Sequence, residues 1–325
     1  MQRVVIVGGG YAGVTLAKEL DASWDVVLVE RKDRFYHNVG AMRAYADASL
    51  YPRLLIPYDR LLQRGRVVYE EVISVGSRFV RAGSGMTLET DAVVVATGSG
   101  YAMPFKTSLR ESAAFLTEAR GMSEQLADAG RVAILGDGPV AVELAGEVSW
   151  RYPQKKVQLV GAGTRLLAGA GNRRLGERVL GILRGRGVEV VFGQRSAAGA
   201  DLVVQAFGAE MGVPCLGATG RVPVDGHFGV PGLPGVYAIG DAADCGEPAL
   251  TFLARRQARY LARYLRDRRM EPYVTARRMA MAVPLGPREG AVQLPLPGLP
   301  VFGNWVTSWL KGRDLFIEKN WAMFR

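Results

Sequence analysis

The chain has 325 residues, 49% of them hydrophobic, enough to bury more than one core and too many for a disordered chain. Its two cysteines, Cys215 and Cys245, stand far apart, so neither a disulfide framework nor a thiolate metal centre is expected, and no apolar run approaches the roughly 18 to 20 residues that cross a bilayer. A net charge of +10, from 41 basic and 31 acidic residues, favours anionic partners: nucleotide phosphates, an anionic membrane surface or nucleic acid.

The first predicted strand is the apolar run Val4 to Val7, with nothing like a signal peptide before it, so a cytoplasmic location is expected. It runs into GGGYAG, where Gly8, Gly10 and Gly13 give G-x-G-x-x-G and Ala12 opens the following helix. The first glycine allows the tight turn and the second lets backbone approach a pyrophosphate. The third lets helix and strand pack, which aims the free N–H groups of the helix at the phosphates. The next strand, Val26 to Val29, ends at Glu30 and Arg31. A carboxylate about 20 residues beyond the glycines is placed to accept a hydrogen bond from a ribose 2′-hydroxyl. A loop-rich stretch follows, with FYHNVGAMRAYAD where two-nucleotide disulfide reductases carry a cysteine pair; it contains none. The run DAVVVATGSG then reads as a buried strand ending in Ala96, Thr97 and Gly98, small enough to let backbone meet a ligand.

A second fingerprint lies 128 positions after the first. Gly136, Gly138 and Ala141 in VAILGDGPVAVELAGE give G-x-G-x-x-A after the strand Val132 to Leu135. One match is weak in a chain with 41 glycines, but two, each between a strand and a helix, are much stronger. One nucleotide site suggests a dehydrogenase; two suggest a flavoprotein that takes hydride from a nicotinamide. In this unit the second strand, Val157 to Val160, ends at Gly161, where the first unit has Glu30. With no carboxylate there, and Arg165 four positions on, NADPH becomes admissible beside NADH.

The unit closes with DLVVQAFGAE, an echo of DAVVVATGSG, and GVYAIGDAADC follows, putting Gly240 and Asp241 at a strand end where a carboxylate can bind a polyol. In ARRQARYLARYLRDRR, Leu253, Tyr260, Leu261, Tyr264 and Leu265 recur at helical spacing among arginines. This reads as a packed helix with a basic outer face, or as a membrane-facing patch. A Pro-rich stretch, 284–300, precedes an aromatic tail in which Phe302, Trp305, Val306, Trp309 and Leu310 share one helical face. That stripe suits a core or a homodimer interface, and equally an interfacial helix among lipid headgroups. No nucleic-acid-binding motif is present, so none is expected as a partner.

Together the two fingerprints, the ATG at 96–98, the GD at 240–241 and the missing cysteine pair resemble FAD-dependent pyridine nucleotide oxidoreductases. Within these, ERKDRFYHNVGAMRA (30–44) and LKGRDLFIEKNW (310–321) are similar to type II NADH dehydrogenases and to the apoptosis-inducing-factor-like branch, above all its ferroptosis-suppressor group of NAD(P)H:quinone oxidoreductases. The resemblance implies an α/β fold with two Rossmann-like dinucleotide-binding domains, one inserted in the other, plus a small C-terminal α+β domain. It divides the chain into 1–108 with 232–270 for FAD, 109–231 for NADH or NADPH, and 271–325 as a membrane, quinone or dimer element. It places Glu30 and Arg43 at the FAD pyrophosphate and ribose, Val72 near the adenine, and Thr97, Gly98 and Asp241 along the flavin. Gly138, Pro139 and Val140 would hold the NAD(P)H phosphates. The implied catalytic residues are Glu143, near nicotinamide and flavin, Lys311 in the tail, and His37, whose ordinary pKa of about 6.5 suits proton transfer near neutrality. Quinone or another small acceptor takes the electrons; a small redox protein as acceptor, or a redox sensor with little turnover, are the rival readings. The Met1-Gln2 start gives no myristoylation signal, so any attachment to the inner face of a membrane would rest on the tail and the basic helix.

Overall fold

The computed structural model describes residues 1–169, 172–276, 279–296 and 300–325; part of the Pro-rich stretch, 297–299, lies outside the described residues. Two parallel sheets organise the chain. The first is ordered Val236–Ala238, Ala92–Val95, Arg3–Val7, Asp25–Glu30, Arg66–Tyr69. Its central strands are near-continuous Val, Ile and Leu because both faces are covered, and Val4, Val5, Ile6 and Val93 to Val95 have no exposed surface. Val7 pairs in register with Val29 and Val95, so three strands end level and release Gly8, Glu30 and Ala96 at one carboxyl edge. That edge is where open parallel sheets bind ligands. The helix Tyr11–Leu20 follows the first glycine turn and packs against the basic helix Thr251–Arg266.

The second sheet is ordered Glu189–Phe192, Lys156–Gly161, Arg131–Leu135, Leu202–Gln205, again all parallel. In chain order it falls between the strands Ala92–Val95 and Val236–Ala238 of the first sheet. The helix Pro139–Arg151 springs from its glycine turn, with Pro at the first position where a missing N–H is harmless. Residues 213–230, assigned above to the second unit, do not pack there. Val213, Cys215, Val222 and Phe228 are buried in the first core, because the chain has already crossed back.

Around these sheets, residues 34–57 form an excursion in which the helix Ala41–Ala46 packs on Pro139–Arg151. A three-stranded antiparallel sheet, Val72–Gly76, Phe79–Ala82 and Thr87–Glu89, flanks the carboxyl edge. The tail contributes an antiparallel pair, Met281–Pro284 with Gly290–Gln293, and short helices Asn304–Thr307 and Ile317–Met323 around a π-turn at Ser308–Gly312. Among the described residues the tail has no separate core. Val283, Leu285 and Ile317 are buried with the second sheet, and Phe324 with the first. Gly146 makes the docking possible: a Cβ there would stand 2.5 Å from Leu285 Cα. No helix is long and apolar enough to cross a membrane among the described residues.

Two expectations about surfaces resolve differently. Thr251–Arg266 is a packed helix whose Leu253, Tyr260, Leu261 and Leu265 are buried. Its arginines are largely engaged: Arg256 with Glu247, Arg259 with Glu19, and Arg255 over the Tyr11 ring. The tail stripe, by contrast, is not core. The helix breaks into a π-turn at Ser308, and Trp305 and Trp309 stand 79% and 70% exposed.

Candidate functional site

A cleft of about 1250 Å³ opens at the carboxyl edge of the first sheet. Gly8, Gly10, Ala12, Glu30, Arg31 and Val72 line one part of it, and Ala96, Thr97, Gly98, Gly240 and Asp241 another. Gly13 sits beneath, under the Gly8 carbonyl, where any side chain would collide. Gly8 has φ +104° and a Cβ there would lie 2.5 Å from Ala96 O, so the turn requires glycine. Gly10 is different. It has ordinary extended backbone, and nothing lies within 4 Å of where its Cβ would point. The protein leaves that space empty at the amino end of a helix, which fits a pyrophosphate.

Glu30 is the carboxylate of this cradle. It accepts from the Gly9 N–H and, at 3.0 Å, from the Lys32 N–H, while Lys32 Nζ lies 3.2 Å away. Burial alone would raise its pKa, but the Lys32 charge and the two backbone donors outweigh burial and hold it below the usual range. At the opposite wall Asp241 accepts from Ser99 Oγ at 2.6 Å and faces Lys106 Nζ at 3.4 Å. Gly240 is held by Gln257 Oε1 at 2.8 Å.

Behind the cleft, Glu143 on the helix Pro139–Arg151 meets Lys311 of the tail, and His37 of the excursion contacts the same tail at Leu315. Lys311 Nζ donates to Glu143 Oε1 at 2.6 Å, both side chains nearly out of water. Burial raises the Glu143 pKa and Lys311 opposes the rise. One helical turn on, Glu147 receives a two-pronged hydrogen bond from Arg43, Nη2 to Oε1 at 2.8 Å and Nε to Oε2 at 3.0 Å. Arg43 Nη1 also donates to Gly312 O at 2.6 Å. His37 lies between cleft and tail: Nε2 is 2.7 Å from Leu315 O, and Nδ1 is 2.9 Å from the hydroxyl of Tyr11, which lines the cleft. The carbonyl fixes the proton on Nε2, so Nδ1 accepts from Tyr11.

These contacts correct two expectations. Arg43 does not line the cleft; its donors are taken by Glu147 and Gly312, so it ties tail to helix instead of reaching a phosphate. His37 does not titrate near neutrality. Burial lowers its pKa from about 6.5 to about 4, with Arg255 and Lys311 pushing the same way and the Leu315 carbonyl opposing. The unfolded chain therefore takes up a proton between pH 6.5 and 4 that the folded chain refuses. Stability is full above about pH 6.5 and falls on acidification toward pH 4, by on the order of 3 kcal/mol from this group. His37→Asn should flatten that part of the curve of denaturation midpoint against pH; an unchanged slope would clear His37 of the effect.

Gly136, Gly138, Pro139 and Val140 form the matching turn on the second sheet, outside the first cleft. Gly138, like Gly10, has nothing within 4 Å of its Cβ direction, while Gly136 has φ +136° and abuts Ala206 O. Arg165 lies beyond Gly161, its Nη2 donating to Ala168 O at 3.2 Å. Sequence reading passed over Tyr11, Ser99, Lys106 and Glu147. Only Glu147 had a usable signal, as a second acid four residues from Glu143 on an otherwise apolar helix. Ser99 and Lys106 are single polar residues in loops and Tyr11 is an aromatic at the start of a helix, which no spacing marks out.

Two such cradles, one walled by Glu30 and Asp241, define an oxidoreductase that works with FAD and NAD(P)H. The chain belongs to the pyridine nucleotide-disulphide oxidoreductase family, whose pattern matches residues 2–201. It is 28% identical over 373 residues to apoptosis-inducing factor homolog B of Dictyostelium discoideum, covering 98% of this chain and 95% of that one. It is likewise 28% identical, over 363 residues, to ferroptosis suppressor protein 1 of Xenopus tropicalis, covering 98% and 95%. The sulfide:quinone oxidoreductase of Aquifex aeolicus superposes with a TM-score of 0.78 over 100% of this chain and 92% of that one; at 14% identity the likeness is one of fold. Despite the family's description, both cysteines here are free. Cys215, which lines the cleft, has its thiol pushed up to about 11 by burial, so it is protonated at neutral pH.

Proposed function

We propose that the protein is an NAD(P)H:quinone oxidoreductase. The observation that carries this reading is the absence of a cysteine pair to relay electrons, which leaves a direct transfer from flavin to an outside acceptor. Support comes also from similarity to ferroptosis suppressor protein 1. In this reading residues 1–108 with 213–270 serve FAD, 109–212 serve NAD(P)H, and 271–325 face the acceptor. Bound FAD supplies the chemistry of taking hydride and passing on two electrons.

The chain's own groups position and supply protons. The Gly8–Gly13 turn and Glu30 hold the pyrophosphate and ribose, and Asp241, oriented by Ser99 and Lys106, holds the polyol chain. Glu143 and Lys311 form a buried acid–ammonium pair, in which the ammonium stabilises the carboxylate left when Glu143 gives up a proton from Oε1. His37, held neutral, orients Tyr11 toward the cleft and steadies Leu315 of the tail. Exposed Trp305 and Trp309, with exposed Arg313 beside them, suit contact with an anionic membrane surface that carries quinone. The same tryptophans would serve a homodimer contact.

Anaerobic stopped-flow mixing tests the proposal. NADH or NADPH should bleach the flavin, and quinone should restore its colour within the turnover time, faster when delivered in anionic vesicles. Cys215→Ser should leave both phases unchanged. Rapid bleaching followed by reoxidation only with a ferredoxin-type protein would transfer the acceptor role to a small carrier.

A further inference from the structure

The two nucleotide turns solve the same problem with the carboxylate on opposite sides, and this bears on which nicotinamide nucleotide the second one takes. In the first, Gly9 between the fingerprint glycines has no side chain, and the Tyr58 ring (hydroxyl 2.6 Å from a Gly9 Cβ) together with Glu30 at the end of the next strand fills the space. Glu30 Cβ stands 3.1 Å from where a Gly9 Cβ would be, and its carboxylate accepts from the Gly9 N–H. In the second, the corresponding positions are Asp137 and Gly161. Here the side chain comes from the glycine turn and the bare backbone from the strand end. A Cβ on Gly161 would lie 2.8 Å from Asp137 Cβ, and a Cβ on Gly163 would lie 2.8 Å from Asp137 Oδ2. Asp137 Oδ2 accepts from the Gly163 N–H at 2.8 Å. The missing acid at Gly161 is thus not a missing carboxylate; the carboxylate reaches the same junction from Asp137, and both glycines are bare because it is there.

We propose that Asp137 is the ribose-reading residue of the second nucleotide site, and that this site selects NADH over NADPH. With Oδ2 engaged by Gly163, Oδ1, which has no hydrogen bond among the described residues, can accept from an adenosine 2′-hydroxyl, as the acid at a strand end does in the ordinary arrangement. A 2′-phosphate would instead meet the Asp137 carboxylate, which the Gly163 N–H holds in place. Arg165, the residue that made NADPH admissible, spends Nη2 on Ala168 O within its own loop; its Nη1 is buried with no hydrogen-bond partner among the described residues, so Arg165→Gln is part of the test.

This inference rests on the second turn being the nicotinamide-nucleotide site of the proposed function. Its test is therefore a binding measurement as well as a kinetic one. Calorimetric titration of the FAD-loaded protein with ADP-ribose and with 2′-phospho-ADP-ribose should show at least tenfold tighter binding of the former. Asp137→Asn, which keeps the shape and removes the charge, should narrow that ratio at least tenfold, chiefly by improving the 2′-phosphorylated ligand. Asp137→Gly, copying Gly9 of the first turn, should narrow it too. Equal or tighter binding of the 2′-phosphorylated compound, failure to bind ADP-ribose, or a ratio indifferent to Asp137→Asn would each overturn the inference. A 2′-phosphate preference abolished by Arg165→Gln would do so while assigning the site to NADPH. If the ratio behaves as stated but quinone fails to reoxidise the flavin, the acceptor reading falls and the donor inference stands.

Discussion

Lys311→Met should destabilise the protein by about 3–5 kcal/mol, the loss found when one partner of a buried ion pair is removed and the other is stranded. Glu143 is left 5% exposed with Glu147 one turn away, and no cation but the already engaged Arg43 is at hand among the described residues. Glu143→Gln should be milder in stability because the amide can still accept from Lys311. Its effect should appear in turnover, slowed about 100-fold with flavin retained, as when a positioned proton donor is lost. The double variant should be more stable than Lys311→Met alone, since neither buried charge then remains. Urea midpoints of the three variants, with single-turnover rates for Glu143→Gln, make the check. Additive midpoint losses would show the pair to be uncoupled. Unchanged kinetics in Glu143→Gln would take the carboxylate out of the reaction.

Gly10→Ala should give a folded protein without flavin. Gly10 has φ −76° and ψ −168°, backbone that alanine adopts freely, and its Cβ would enter open space. The only thing it can obstruct is whatever the turn is shaped to receive, so flavin content should fall at least tenfold while the far-ultraviolet spectrum is retained. The melting temperature should match that of deflavinated wild type, because stabilisation by a bound ligand is lost with the ligand. Gly8→Ala is the contrasting case: φ +104° and the Ala96 carbonyl forbid the side chain, so this variant should fail to fold. A fully yellow Gly10→Ala protein would mean that the pyrophosphate lies elsewhere.

The two sheets and their glycine turns were legible in the sequence because their signals are local. A run such as Val4 to Val7 followed by G-x-G-x-x-G encodes buried strand, tight turn and helix start within a dozen residues, and Glu30 is fixed by the length of one helix and one strand. Asp241 was legible for the same reason, at a strand end. Of the readings open for the aromatic tail, the core one fails because its spacing describes a regular helix, whereas the chain widens into a π-turn at Ser308 and it is Lys311 and the Gly312 carbonyl that turn inward.

By itself, then, the sequence determined the pair of dinucleotide cradles, the carboxylate of the first, and the absence of a dithiol relay. Tertiary structure alone decided what the charged residues do. Arg43 is 104 positions from Glu147 and 269 from Gly312, Lys311 is 168 from Glu143, and His37 is 278 from Leu315. No periodicity spans such separations, and each group's charge state and partner follow from how much water the packed tail removes around it. Asp137 is the intermediate case: it stands inside the motif, but its role depends on facing Gly161 and Gly163 across a crevice that only the folded sheet creates.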